Sequence, residues 1–393
     1  MTLSFESDLP PSEAIDAAPL LRGIVDWVEM ETPSDRPDLI DVLLDSVEAS
    51  FEGLPVQRRR VPGRDGCGGQ LILRYAPAGV SGAPLLFMGH VDTVWDAGTL
   101  AERPVRREGD QVFGPGIFDM KAGSYLATET VRRIAAAGLI PPRPIIVYLN
   151  ADEEIGSLTS RDTIEELARE AALVLVPEPS VGAAGTVVTA RKGWARFSLV
   201  AQGVSAHAGG NLADGRSAIR EIAQHILQIE SLNDTEPAAS FNVGTVAGGT
   251  RANVVPDHAA IEIDMRVEDM PTAERLIAEM LDRRAVGKDI ALHVSGGLNR
   301  PPFVRSPAVH RLYEATCALA KYLKLPMAEA SRGGVSDGNF AAALGKPVLD
   351  GLGCSGGGAH ALHEHILVST IAPRAALMHA MAMSKTFQTL AVD

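Results

Sequence analysis

The feature that most constrains this chain is a set of short apolar runs that each end in acids or imidazoles. "PLLFMGHVD" closes on His90 and Asp92, "PIIVYLNADEE" on Asp152, Glu153 and Glu154, and "ALVLVPEPS" on Glu178. Between them lie two helical patterns, "KAGSYLATETVRRIAAAGL" and "SRDTIEELAREAA". Apolar runs without polar alternation read as strands buried on both faces. Joining them through helices gives an α/β domain, a mostly parallel mixed sheet with helices on both faces. A fourth run, "KPVLDGLG", leads through a glycine loop to His360 in "GGGAHALHE", and "FGPGIFDMKAG" places Asp119 just before a helix. Ligands of an open parallel sheet bind beyond the carboxyl ends of its strands, so these groups would share one edge. Acids this close repel, and burial disfavours their ionised form. Cations among them would make the cluster tolerable.

Taken singly, each residue has a plainer reading. His90 and Asp92 at i, i+2 can be a hydrogen-bonded pair on a strand. Asp119 can cap a helix by accepting from its free N–H groups. Glu178, between Pro177 and Pro179, can be a solvated loop acid, and His360 one of three exposed histidines with His363 and His365. Their joint occurrence at successive strand ends favours a shared site.

At 393 residues the chain exceeds what one hydrophobic core usually supports, so two domains are expected. An N-terminal helical stretch spans about Leu20 to Val47. From Arg191 the rhythm changes to strand, helix, strand, strand, helix, strand, the βαββαβ order of a ferredoxin-like unit. The expected division is a first domain of residues 1–190 and 302–393 interrupted by an inserted unit of residues 191–301. The first domain resumes with the helix "AVHRLYEATCALAKYL" and ends in an amphipathic helix around Ile371 to Leu390.

The formal charge of −13 argues against a nucleic acid or an anionic membrane surface as partner, leaving small molecules. No apolar run reaches the ~18 residues of a membrane span. The three cysteines, Cys67, Cys317 and Cys354, are widely spaced and fit a reducing compartment. The start "MTLSFESDLPP" lacks the basic and apolar regions of a secretory signal. The expectation is a cytoplasmic protein, or a periplasmic one if a leader had been removed. Neither a GxGxxG turn nor a P-loop is present to support nucleotide binding.

The segments "GHVDTV", "GPGIFDMKAG", "ADEEIGS", "VPEPS", "GVSAHAGG", "ANVVP" and "GGGAHALHE" together resemble the signatures of the di-zinc peptidase family that includes glutamate carboxypeptidase, acetylornithine deacetylase, succinyl-diaminopimelate desuccinylase and the aminoacylases. The similarity runs from about Leu85 to the C-terminus, and the stretch from Gly89 to Gly123 looks most like the glutamate carboxypeptidase branch. The resemblance implies that Asp119 bridges two metals, with His90 and Glu178 completing one site and Glu154 and His360 the other. Imidazole with carboxylate suits two Zn2+ per subunit, with Co2+ or Mn2+ as other fits. Glu153 is implied as the general base acting on a water between the metals. Asp92, at same-face spacing from His90, can orient that imidazole.

In the inserted unit, His207 resembles the family histidine that reaches the scissile carbonyl oxygen, often from the partner subunit. Asn253 and Arg300 resemble positions that hold the substrate's free carboxylate, and Gly334 and Ser336 a segment lining the pocket floor. A homodimer through the inserted unit, which would also act as a lid, and a cis peptide after Asp119 are implied as well. The chain departs from the glutamate carboxypeptidase pattern at Met120, where a second acid is common. No role follows for Asp152, Cys354, His363 or His365.

The function these residues point to is metal-dependent hydrolysis of an amide bond next to a free carboxylate, releasing a C-terminal amino acid from a small peptide or N-acyl-amino acid. The alternatives are an N-acyl-amino acid deacylase or dipeptidase using the same site. A non-catalytic binding protein would be expected to have lost some of His90, Asp119, Glu153, Glu154, Glu178 and His360, and all six are present.

Overall fold

Every residue of the strands Leu85–His90 and Ile145–Asn150 is buried, which demands cover on both faces of the sheet that holds them. The computed structural model describes Phe5, Leu9 and residues 15–182 and 185–392. Most of the acidic start, on which the expectation about a leader rests, lies outside the described residues. The chain divides into two compact units, one of Met1–Ala190, Arg305–Arg332 and Ser336–Asp393, the other of Arg191–Val304 and Gly333–Val335.

The first unit is built on a six-stranded sheet in the order Val56–Val61, Gln70–Tyr75, Ile145–Asn150, Leu85–His90, Leu173–Leu175, Val348–Leu349. The last four run parallel, and the first two are antiparallel additions at one edge. His90 stands opposite Asn150, so the turns after the two central strands open at the same level. Leu175 pairs with Phe87, which brings the segment to Glu178 to that same end. A small four-stranded sheet pairs Gln111–Phe113 with His365–Leu367, which in turn pairs with Gly356–Gly357. It joins the loop carrying Asp119 to the loop carrying His360.

Two expected helices are each broken in two. The stretch around Leu20–Val47 forms Ala17–Val28 and Pro37–Ala49, with Pro37 opening the second where its missing N–H is harmless. The closing segment forms Val368–Met383 and Lys385–Val392, separated at the extended Ser384. It is not amphipathic as expected. Residues 380–383 are buried one after another, because this helix lies inside the core.

The helix Ala122–Ala136 packs against the segment before Glu178 through Gly123, where an added Cβ would fall 1.7 Å from the Pro177 carbonyl oxygen. No side chain fits there. Gly123→Ala should destabilise the fold by about 1–3 kcal/mol or more and move Glu178, which denaturant unfolding and metal titration would detect. Unchanged values of both would show that the helix can shift freely.

The second unit is a four-stranded antiparallel sheet in the order Ala239–Gly248, His258–Val267, Gly193–Gln202, Ala291–Arg300, with helices Ala218–Glu230 and Met270–Leu281 packed on it. Alternate residues of Gly193–Gln202 and His258–Val267 point into its own core, among them Phe197, Leu199, Ile261 and Ile263.

Candidate metal centre

Asp119 lies at the centre of the cluster. It sits in a kinked turn between Gly116, in the left-handed region, and the helix from Ala122, and the peptide bond after it is cis, as the resemblance leads one to expect. One oxygen, Oδ1, is 3.4 Å from His90 Nε2, and the other, Oδ2, is 3.4 Å from His360 Nε2. On the first side Glu178 Oε1 lies 3.7 Å from the same His90 nitrogen. On the second, Glu154 Oε2 lies 3.2 Å from the same His360 nitrogen. The structure thus brings together His90, Asp119, Glu154, Glu178 and His360 as two groups that share one carboxylate. Candidate ligand atoms of His90, Asp119 and Glu154 all fall within 4.8 Å of one another.

These residues fit divalent cations on their own chemistry. His90 Nε2 and Glu154 Oε1 are buried with no hydrogen-bond partner, although buried polar atoms almost always have one. Three carboxylates and two imidazoles form the oxygen and nitrogen donor set that zinc and its neighbours accept. Without cations the imidazoles take up protons instead. Burial opposes this at His90, but the nearby Asp119 and Asp92 carboxylates outweigh burial and hold its pKa well above the usual value. His360, bonded to Asp119 and Glu154, is raised to about 10. Burial pushes Glu154 upward, with the neighbouring Asp119 charge adding to it, despite the bond to His360.

The surrounding groups hold the ligands in place. His90 Nδ1 lies 3.0 Å from the Asp92 carbonyl oxygen and 3.4 Å from its Oδ1, which leaves Nε2 facing the cluster. Asp92 is fully buried and accepts from the Ser34 hydroxyl at 2.7 Å and from the Glu153 and Glu154 N–H groups, each at 3.2 Å. It therefore ties the His90 strand to the turn bearing both glutamates. The backbone N–H of His90 donates to the Met120 sulfur, and the Ser124 hydroxyl to the His90 carbonyl. Met120, where the pattern departs, is a buried packing residue here.

Asp152 is accounted for by the following turn, since its Oδ2 accepts from the Thr159 N–H and hydroxyl and from the Ser160 N–H. His365 packs against Phe113 and meets Gln111, while His363 is exposed and Cys354 buried. The structure adds residues that the sequence gave no signal for. Asp337 accepts from Asn150 and Ser157, on either side of the glutamate turn. Buried Lys121 donates to the Trp27 and Met30 carbonyls, and burial lowers its pKa to about 7.

Two candidate substrate residues are buried. Ser336 is fully buried and donates to Asp350 at 2.6 Å, which ties it to the end of the sheet. Arg300, at 0% exposure, ends the strand Ala291–Arg300 with its guanidinium bonded to Asn299. Gly334 is exposed, its carbonyl accepting from Arg191. His207 and Asn253 are exposed neighbours in the second unit, where the pair Ala206–His207 bridges Val254–Val255. The Gly209 and Gly210 N–H groups donate to His207 Nδ1 at 3.1 and 3.0 Å.

Residues 86–384 match peptidase family M20/M25/M40. The chain belongs to this family. It is 32% identical to carboxypeptidase G2 of Pseudomonas sp. (strain RS-16) over 302 residues, covering 75% of this chain and 72% of that one. It is 27% identical to the succinyl-diaminopimelate desuccinylase of Delftia acidovorans over 328 residues, covering 77% of this chain and 82% of that one. Among solved structures, the YXEP protein of Bacillus subtilis, described as a dinuclear metal binding peptidase of the M20 family, shares the fold. Its TM-score is 0.68 at 15% identity, covering 94% of this chain and 99% of that one. This M20 chain is accordingly an enzyme of the metallopeptidase and amidohydrolase kind. No described helix is long and apolar enough to cross a membrane.

Proposed function

We propose that this M20 enzyme hydrolyses the amide bond next to a free carboxylate and releases a C-terminal amino acid, glutamate first among those to test. Two divalent cations, Zn2+ before Co2+ or Mn2+, would be held by His90, Glu178 and Asp119 and by Glu154, His360 and Asp119. The observation that carries this reading is the Asp119 carboxylate, with one oxygen at each imidazole. The similarity to a carboxypeptidase supports the choice of bond.

When bound, the cations would polarise the scissile carbonyl and acidify the attacking water. Glu153, partly exposed beside the ligands, takes that water's proton and returns it to the leaving nitrogen. Asp92 keeps the His90 ring oriented. Because His207 Nδ1 accepts two backbone N–H groups, the neutral ring carries its proton on Nε2, where it can donate to the carbonyl oxygen. Asn253, beside it, can bond the substrate's carboxylate, and Gly334 can lend an open backbone surface.

A screen of chelator-stripped, zinc-reconstituted enzyme against dipeptides and N-acyl-amino acids tests the reading. Cleavage should need the free C-terminal carboxylate, and equal turnover of C-terminally amidated substrates would overturn it. The similarity to a desuccinylase favours, as a second reading, a deacylase of small N-acyl-amino acids, which the same screen separates by its preferred acyl group.

We also propose a homodimer through the inserted unit and a cytoplasmic location. The outer strand Ala239–Gly248 is mostly exposed, with Val246 at 66%, and presents an unpaired edge. The three unpaired cysteines suit a reducing compartment.

The metal-free enzyme should behave distinctively with pH. Cations displace the protons on His90 and His360, so uptake near neutral pH should release about two protons per subunit, measurable by calorimetry in buffers of different ionisation enthalpy. The raised pKa of His360 stabilises the metal-free fold fully below the ordinary value of 6.5, and that contribution disappears as pH rises through about 10. Apparent metal affinity moves the other way, rising over the same window. Proton release near zero would contradict the assignment of the imidazoles.

A further inference from the structure

A buried carboxylate outside the ligand set connects the loops that carry it. Glu364, fully buried, accepts four hydrogen bonds. Its Oε1 takes the backbone N–H groups of Phe118 and Asp119 at 2.9 and 3.1 Å. Its Oε2 takes the N–H of Gly116 at 2.8 Å and the indole N–H of Trp95 at 2.7 Å. A carboxylate has about four acceptor positions, so none is left over.

The positions of these donors decide the reading. Three lie within four residues, Gly116 to Asp119, of the irregular loop that delivers Asp119. The loop can wrap an anion because Gly116 takes φ +71, and a Cβ there would fall 2.3 Å from Thr93 Cγ2. The fourth, Trp95, follows Asp92 by three residues in the loop after the His90 strand, and Glu364 itself follows His360 by four. One carboxylate therefore joins the loops bearing His90, Asp119 and His360. A helix cap or a surface ion pair would not bind three separate ligand loops.

We infer that Glu364 is a positioning residue that sets the shared Asp119 carboxylate for both cations at once. This rests on the proposed reading of the metal centre. Glu364 fixes the backbone N–H of Asp119, while both Asp119 oxygens face imidazoles. Its loss should weaken both sites together, unlike loss of Glu178, which stands on one side only.

The test is calorimetric titration of chelator-stripped enzyme with zinc alone. Glu364→Gln keeps the shape but turns an N–H2 toward backbone donors, and both binding steps should weaken by roughly 10–100-fold. Glu178→Ala should weaken one step. Leu319→Ala, a deletion in the core of the same unit, should lower the melting temperature and leave both affinities alone. If Glu364→Gln does not fold, Trp95→Phe carries the test, since it removes one of the four bonds and should weaken both steps by less than about 10-fold. Wild-type affinities in the folded Glu364→Gln protein, weakening of one step only, or an unaltered Trp95→Phe protein where that is the only folded variant, would each overturn the inference while leaving the metal centre standing. Wild-type enzyme that takes up no zinc would overturn the reading of the centre itself.

Discussion

Glu153→Gln should bind two cations as tightly as the wild type and lose roughly 10²–10⁴-fold in kcat, the range for removal of a general base. The expectation follows from how the turn is held. The Glu153 N–H donates to Asp92 Oδ1, and that of Glu154 to Asp92 Oδ2, so the backbone of the turn does not depend on the Glu153 carboxylate. Asp152 anchors the far side of the turn through Thr159 and Ser160. An amide in place of the carboxylate keeps size and polarity but cannot take a proton. Steady-state kinetics with metal analysis on the same preparations separates the possibilities. Metal lost in proportion to activity would make Glu153 a ligand and not the base.

Asp119→Ala should have the broader effect. Because its two oxygens face two different imidazoles, the substitution removes a ligand from both sites, and affinity for each cation should fall by more than about 100-fold, beyond the loss from supporting residues. Activity should disappear with the metal. A second reading comes from the metal-free protein, where Asp119 is the largest cause of the raised His360 pKa. The His360 imidazole should then titrate below its wild-type value, as NMR would show. If one cation stayed bound at wild-type affinity, Asp119 would belong to a single site.

The meeting of His90, Asp119, Glu154, Glu178 and His360 was legible in sequence for a simple reason. Strands such as "PLLFMGHVD" are buried on both faces, so a charged residue can appear only where the strand leaves the sheet, and parallel strands leave it at the same end. The edge strand Val56–Val61 was missed because its run "VQRRRV" is largely exposed and carries no apolar pattern. Glu364 was missed because its partners are mostly backbone amides, and a bond to the main chain leaves no trace in side-chain type. The burial of Arg300 and Ser336 was likewise not legible. Their residue types suit a ligand, but burial is decided by neighbours far along the chain, and both are enclosed. The break at Ser384 was hidden because the helices on each side of it are both apolar enough to continue one pattern.

The chain order of these parts has a consequence in time. Asp119 and the strands before Leu175 come early, whereas Val348–Leu349, His360 and Glu364 follow the whole inserted unit. On a ribosome adding about 5–20 residues per second, the early part of the sheet waits roughly 10–35 s for its last parallel strand. During that interval the carboxylate of Asp119 lacks one of its imidazoles and its loop lacks the anion it wraps around. In the proposed centre the site of His90, Asp119 and Glu178 would be complete in sequence by residue 178, whereas the site that needs His360 could form only after the inserted unit has been made.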